Sequence, residues 1–171
     1  MDVPSVITIK QVRSKLDIQK VVLLATTIWN EFYVPFIGEP QVEYMLSKIQ
    51  STVAISQQIN EDKIEYYLVY KGTEEQGYFA IKQLEGEIFL SKFYLRKQSR
   101  GIGLGRVCLM FIAEKGRSNG SKLIRLVVNK ISSSVKIYEK MGFINDGPLL
   151  TVIGDGYFMD DYKMSYKIEA K

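Results

Sequence analysis

A chain of 171 residues, 46% hydrophobic and 12% aromatic, can bury one sizeable core but hardly two, and its 25% charged residues and 4 prolines exclude disordered, collagen-like and low-complexity classes. The formal charge of +4 suits any polyanion, yet the basic residues are scattered except for Arg96-Lys97-Gln98-Ser99-Arg100, which runs straight into glycines and favours a phosphate site over a nucleic-acid surface. Histidine is absent, which excludes His triads, His metal ligands and a His general base.

A short strand is expected across Val6 to Val12, then a helix with Asp17 as its N-cap and apolar positions at Val21, Val22, Leu24, Ala25 and Ile28. Trp29, Phe32 and Tyr33 extend that surface until Pro35 stops the helix, and Gly38-Glu39-Pro40 starts a second one through Val42, Met45 and Ile49. Ile64 to Tyr70, Tyr78 to Leu84 and Glu87 to Leu95 are rich in aromatic and branched residues and read as consecutive antiparallel strands, separated by Lys71 to Gly77 and by Glu85-Gly86. Val107 to Ala113 is an unbroken apolar run and predicts a helix buried on most sides. Leu123 to Val128 predicts a buried strand, and Val135 to Met141 a short helix closed by Gly142. Leu149 to Ile153, Gly154-Asp155-Gly156 and Tyr162 to Glu169 form a terminal hairpin whose last strand alternates apolar with polar residues.

The expected fold class is therefore α/β, a mixed, mostly antiparallel twisted sheet flanked by helices in the order β-α-α-βββ-α-β-α-ββ, with one domain over residues 1–171. No run approaches the eighteen or so apolar residues that span a bilayer, and Met1 to Val6 lacks the marks of a signal peptide, so a cytoplasmic chain is expected. Cys108 is alone and sits inside an apolar run, which makes it a core thiol rather than a nucleophile.

Two segments carry chemistry. Arg100-Gly101-Ile102-Gly103-Leu104-Gly105 lies between an expected strand and an expected helix, where glycines let the backbone approach a ligand and first-turn N–H groups attract anions. A Gly-rich turn without a ligand has the same pattern, but a P-loop is excluded by the lack of Gly-Lys-Ser/Thr, and three antiparallel strands before the loop contradict a dinucleotide fold. The second segment is Val128-Asn129-Lys130, Ser132-Ser133-Ser134 and Tyr138-Glu139-Lys140-Met141-Gly142-Phe143, whose short polar residues suit a cap or turn and whose Tyr138 shares a helix face with Val135 and Met141.

Together these residues resemble the GNAT superfamily of acetyl-CoA-dependent N-acetyltransferases. Arg100-x-x-Gly103-x-Gly105 matches its pyrophosphate loop, and Leu126-Val127-Val128-Asn129 through Tyr138 to Phe143 matches its later strand–helix motif, in the family's order. Gln98 to Gly103 also fits the loop pattern; the register beginning at Arg100 places the following apolar residues as the family has them. The family's Asn falls here on Ile131, which leaves Asn129 or Ser134 to make that CoA contact. Trp29 to Gly38 and Gly154 to Tyr162 are similar to parts of bacterial members, PaiA-type polyamine acetyltransferases among them.

The resemblance implies that Phe93, Tyr94 and Leu95 expose backbone to the pantetheine arm, that Arg100, Gly101, Ile102, Gly103, Leu104, Gly105 and Arg106 hold the pyrophosphate, and that Tyr138 protonates the departing thiolate. A phenol of pKa about 10 can protonate a thiolate of pKa about 8.5 to which it is hydrogen-bonded. The acceptor implied is a primary amine of a small molecule, a polyamine included, or of a peptide, with Glu31, Tyr33, Asp160 and Asp161 as candidate contacts and no metal. An alkylamine of pKa about 10.4 must lose a proton at a cost of roughly 4–5 kcal/mol at neutral pH, for which Glu31 and Glu87 are candidate bases. A monomer or homodimer is expected, without nucleic-acid or membrane partners. The rival reading is a CoA-binding sensor of the same fold that binds without turnover.

Overall fold

The computed structural model describes residues 6–171. Residues 1–5, on which most of the leader argument rests, lie outside the described residues. The elements are β1 (Ile7–Gln11), α1 (Lys15–Ile37), α2 (Glu39–Ile49), α3 (Thr52–Asn60), β2 (Ile64–Lys71), β3 (Glu74–Leu84), β4 (Glu87–Leu95), a single 3₁₀ turn (Lys97–Ser99), α4 (Leu104–Ser118), β5 (Leu123–Asn129), α5 (Ser134–Met141), β6 (Ile144–Gly154) and β7 (Tyr157–Lys167). The strands are ordered β1-β2-β3-β4-β5-β7-β6. The β4–β5 pair is parallel, whereas β1–β2, β2–β3, β5–β7 and β6–β7 are antiparallel. This is the mixed, mostly antiparallel sheet with flanking helices that the pattern predicts.

The chain divides into two compact units, one formed by the sequence up to Lys82 with Lys92–Gly105, the other by Gln83–Ser91 with Arg106–Lys171. In the first, Ser14 rather than Asp17 caps α1: the Ser14 hydroxyl accepts from the Asp17 N–H, and the Asp17 carboxylate reaches back to the backbone N–H of Ser14, a reciprocal capping box. α1 also continues through Pro35 to Ile37, because the bond lost at proline is a single one near the helix end, where Gly38 N–H still reaches the Val34 carbonyl at 3.0 Å. α3 is an addition to the expected order. Its only buried residue is Ile55, so it lacks an apolar stripe that could announce it.

β2 and β3 are buried on both faces, with Tyr66, Leu68, Val69, Tyr78, Phe79 and Ala80 essentially inaccessible. Their turn is shorter than Lys71 to Gly77. β3 begins at Glu74, and the ladder shifts register between Val69 and Tyr70, so that Gln76 is the extra residue of a β-bulge.

In the second unit α4 buries Cys108, Leu109, Ile112 and Ala113 but leaves Val107 and Met110 exposed, so it is amphipathic rather than buried on most sides. An apolar run thus overstated its burial. β5 likewise alternates, with Ile124, Leu126 and Val128 inward and Arg125 and Val127 outward, and is not the doubly buried strand expected. Gly116 sits where a Cβ would come within 2.7 Å of Ile168 Cδ1 and 3.0 Å of Ile88 Cδ1, which lets α4 pack closely on those residues. The β6–β7 hairpin is longer than predicted and carries two irregularities, between Asn145 and Gly147 and between Val152 and Gly154.

Candidate active site

The end of β4 is shaped by its neighbour β3. A Cβ on Gly77 would lie 2.2 Å from the Tyr94 carbonyl oxygen and 2.8 Å from Leu95 Cδ2, so only glycine lets the two strands approach here. Beside it the bulged Gln76 collects the chain that leaves β4: its carbonyl accepts from Arg96 N–H at 2.8 Å, and its Oε1 accepts from the buried Ser99 hydroxyl at 2.6 Å. Arg96 Nε donates to the Glu75 carbonyl at 2.8 Å, and Arg100 Nε donates back to the Leu95 carbonyl at 3.0 Å. The Arg100 guanidinium also lies 5.7 Å from the centre of the Phe32 ring on α1, a cation–π contact. The loop is therefore held on its β4 side by named bonds.

Gly101 and Gly103 adopt φ of 75° and 88°, a region that favours glycine, and a Cβ at either would meet nothing within 4 Å. Ile102 between them is exposed, whereas Leu104 is buried and begins α4. Gly105 is half-buried and Arg106 exposed in that first helical turn, whose N–H groups have no intrahelical acceptors. An open backbone cradle, flanked by Arg100 and Arg106 and leading into a fifteen-residue helix, fits a pyrophosphate. On another side of the loop lies an open groove of about 480 Å³ lined by Lys71, Thr73, Glu74, Gln76, Gln98 and Ile102.

Phe93, Tyr94 and Leu95 are all half-buried on β4. Phe93 meets Phe79 edge-on, and Tyr94 sits among Trp29, Tyr33 and Tyr78 with ring centres 5.3, 6.2 and 5.6 Å away. The buried Tyr33 shares a hydrogen bond of 2.9 Å with Tyr94 through their hydroxyls, so an expected acceptor residue and an expected cofactor residue are joined. Glu31 is exposed on α1, and the other candidate base, Glu87, is ion-paired with Arg125 Nε at 2.5 Å.

In the second unit β5 ends at Asn129, whose side-chain oxygen accepts from Ile131 N–H at 3.0 Å while its carbonyl accepts from Ser132 N–H at 3.0 Å. That oxygen is thus engaged in the turn, as a short polar residue at a strand end commonly is. Ile131, standing where the family has Asn, is exposed. The Ser132 hydroxyl accepts from Ser134 N–H at 3.0 Å and steers the chain into α5, where Ser134 is half-buried. Tyr138 is half-buried too, its ring 5.4 Å from Phe143, which in turn lies 5.4 Å from Tyr166. Gly142, at φ 105°, ends the helix and lets Phe143 turn back onto Tyr138.

On β7, Asp160 is exposed and ion-paired with Lys130 Nζ at 2.5 Å, while Asp161 is buried opposite Asn129. Two features had no plain sequence signal. The Gln76 bulge gives no signal because Gln76-Gly77 reads as the end of the turn before the strand at Tyr78, and Lys92 reads as an ordinary strand lysine. Lys92 in fact lies over the Tyr66 ring, 5.8 Å from its centre, and burial pushes its ammonium down to about 8. Cys108 is fully buried, and burial pushes its thiol up to about 12, which makes it inert. Among the described residues no group of three His, Cys, Asp or Glu side chains could hold a metal ion, and no helix is long and apolar enough to cross a membrane.

The structure is similar to several solved ones. PaiA N-acetyltransferase from Thermoplasma acidophilum, solved in complex with coenzyme A, superposes with a TM-score of 0.79 at 20% identity, over 95% of this chain and 99% of that one. The ribosomal-protein-S18-alanine N-acetyltransferase from Escherichia coli gives 0.71 at 14% identity, over 97% and 96% of the two chains. A chimera of Vibrio cholerae spermidine N-acetyltransferase SpeG and hSSAT gives 0.69 at 14% identity, over 94% and 95%. No curated protein sequence matches the chain. The family model described as "Acetyltransferase (GNAT) domain" matches residues 34–164, from the end of α1 into β7, and includes both motifs. The chain belongs to the GNAT acetyltransferase family.

Proposed function

We propose that this chain is an N-acetyltransferase that uses acetyl-CoA to acetylate a primary amine of a small molecule or peptide by direct attack, acting as a single catalytic domain in the cytoplasm, as a monomer or homodimer. The observation that carries the reading is the loop from Arg100 to Arg106: two positive-φ glycines and a helix N-terminus, fixed to β3 through Arg96 and Ser99 and to β4 through Arg100, form a cradle suited to a pyrophosphate. When bound, acetyl-CoA supplies the activated acetyl group. Backbone groups of Phe93 to Leu95 orient the pantetheine arm, Tyr138 gives its phenolic proton to the departing sulfur, and Ser134 at the start of α5 is a further cofactor contact. With its side-chain oxygen engaged in the turn, Asn129 positions the start of α5, and its amide nitrogen is the group left to face the cofactor.

The finer reading of the acceptor is a polyamine. The neighbours titled as PaiA and spermidine N-acetyltransferases support that choice, as does the pair Asp160 and Asp161, although Asp160 is already matched by Lys130. Glu31 and Tyr33 are the acceptor contacts proposed on α1. The test is release of free thiol from acetyl-CoA across spermidine, spermine, amino acids, aminoglycosides and peptide N-termini, with the product identified by mass. A chain that binds CoA yet releases no thiol with any of them is a sensor, and the enzymatic reading is then wrong.

A further inference from the structure

Tyr138 supplies a proton but nothing described so far removes one from the acceptor. There is no histidine in the chain and Glu87 is tied to Arg125, which leaves Glu31, exposed to water on α1, and any carboxylate held away from water as candidate bases. Strand register directs attention to β7. Asp161 pairs with Asn129, the last residue of β5, on one side and with Leu149 of β6 on the other. Neighbouring residues of a strand face opposite ways, so Asp160 and Asp161 divide their work. Asp160 is exposed and holds the Lys130 ammonium at 2.5 Å, which leaves Asp161 without that cation.

Asp161 is only 6% exposed, and its Oδ1 is buried with no hydrogen-bond partner. A buried carboxylate oxygen without a donor is costly, and such orphans call for an explanation. A donor that arrives with the substrate explains this one. The same strand end leads through Lys130 to Ser133 into α5 and Tyr138, so one short stretch of chain connects the surroundings of both groups.

We propose that Asp161 is the general base of the acetyl transfer: its free oxygen binds the ammonium of the acceptor and takes a proton from it, freeing the nitrogen lone pair for attack. This rests on the acetyltransferase reading above. The nitrogen lone pair forms the bond to the acetyl carbon, and the carbon–sulfur bond breaks. Sulfur receives the Tyr138 proton, Asp161 passes its proton to water, and the second proton leaving nitrogen restores Tyr138. The sum is ammonium plus thioester giving amide, thiol and one released proton. Burial, reinforced by the Asp160 charge, lifts the Asp161 carboxyl to about 6, while Lys130 acts in the opposite direction. The other charged groups on its strand face are Lys163 and Lys167, both exposed; Arg125 lies on the same face of β5, and the β6 residue opposite is the apolar Leu149. A carboxyl in that range is ionised at neutral pH yet basic enough to serve.

The experiment is kcat/KM against pH for wild type and Asp161→Asn, with spermidine, benzylamine and a glycine-terminated peptide as acceptor probes, and with CoA affinity measured in both proteins. In wild type the values should climb tenfold per pH unit up to about 6 and then stay level until the amine itself loses its proton. The variant should bind CoA normally and be roughly 10²- to 10⁴-fold slower at pH 7, and its rate should climb tenfold per unit throughout neutral pH, because only free amine then reacts. The gap between the two should close as the pH nears that of the free amine. An active wild type with an unchanged profile in the variant overturns the assignment of Asp161 alone. A wild type that binds CoA but acetylates none of the probes overturns it together with the acetyltransferase reading.

Discussion

Tyr138 packs edge-on against Phe143, so its ring has a structural use that is separate from its hydroxyl. Tyr138→Phe keeps the first and removes the second. Turnover should fall by roughly 10²- to 10⁴-fold at saturating substrates while CoA affinity and melting temperature change little, which single-turnover kinetics will check. Lys92 poses the opposite case, a charge in a place that disfavours charge. Its neighbours are the Tyr66 ring and Gln58 Oε1 at 3.4 Å; the Tyr66 hydroxyl donates to Gln58, and Gln50 links Tyr66 to Tyr78, in one hydrogen-bonded chain. Because the folded chain binds this proton only below about 8 whereas an unfolded lysine holds it to its ordinary value near 10.5, stability should rise with pH between those limits. Lys92→Met should flatten that rise and stabilise the protein at pH 7 by about 1–3 kcal/mol, measured by urea unfolding across the pH range. Cys108 was legible as a core thiol because its neighbours in sequence are all apolar. Lys92 was not, because what buries it, Tyr66 and Gln58, lies on elements distant in sequence.

Among the elements, the succession of strands and helices, α3 apart, could be read in advance, since strand alternation and glycine turns are local signals. What escaped reading was set by tertiary contacts. α3 makes its place with one buried isoleucine, and α4 turned out wet on the side of Val107 and Met110, where a row of apolar residues suggested otherwise. The Gln76 bulge escaped because it exists only relative to the β2 ladder, yet it orients the loop after β4. Gly77→Ala should show how much depends on it. With a methyl 2.2 Å from the Tyr94 carbonyl, β3 and β4 must separate, so a loss of about 3 kcal/mol or more in urea unfolding is expected. CoA affinity should fall as well, because Leu95 and Arg96, which anchor Arg100 and Ser99, move with the strand.

For the whole molecule, the fold and the family follow from motifs in the right order, whereas the acceptor depends on side chains that vary between members sharing this fold at 14–20% identity. Binding of acetyl-CoA to the folded chain alone gives a global measure. At a hundredfold excess over its Kd it should add about 2.7 kcal/mol of stability. That corresponds to a rise of about 5–10 °C in Tm for a chain of this size, followed by thermal melts with and without the cofactor. One further property of the molecule comes from β6, an eleven-residue edge strand with Leu150 and Val152 exposed at 63% and 78%. Straight, it would be a template on which another copy could lay a strand. The irregularities flanking Asp146 and Ile153 bend it, and Pro148 deletes one of its N–H donors. The consequence is colloidal: two copies that collide along this edge find apolar contact but an interrupted row of donors, so their encounters stay brief instead of growing into fibres as concentration rises.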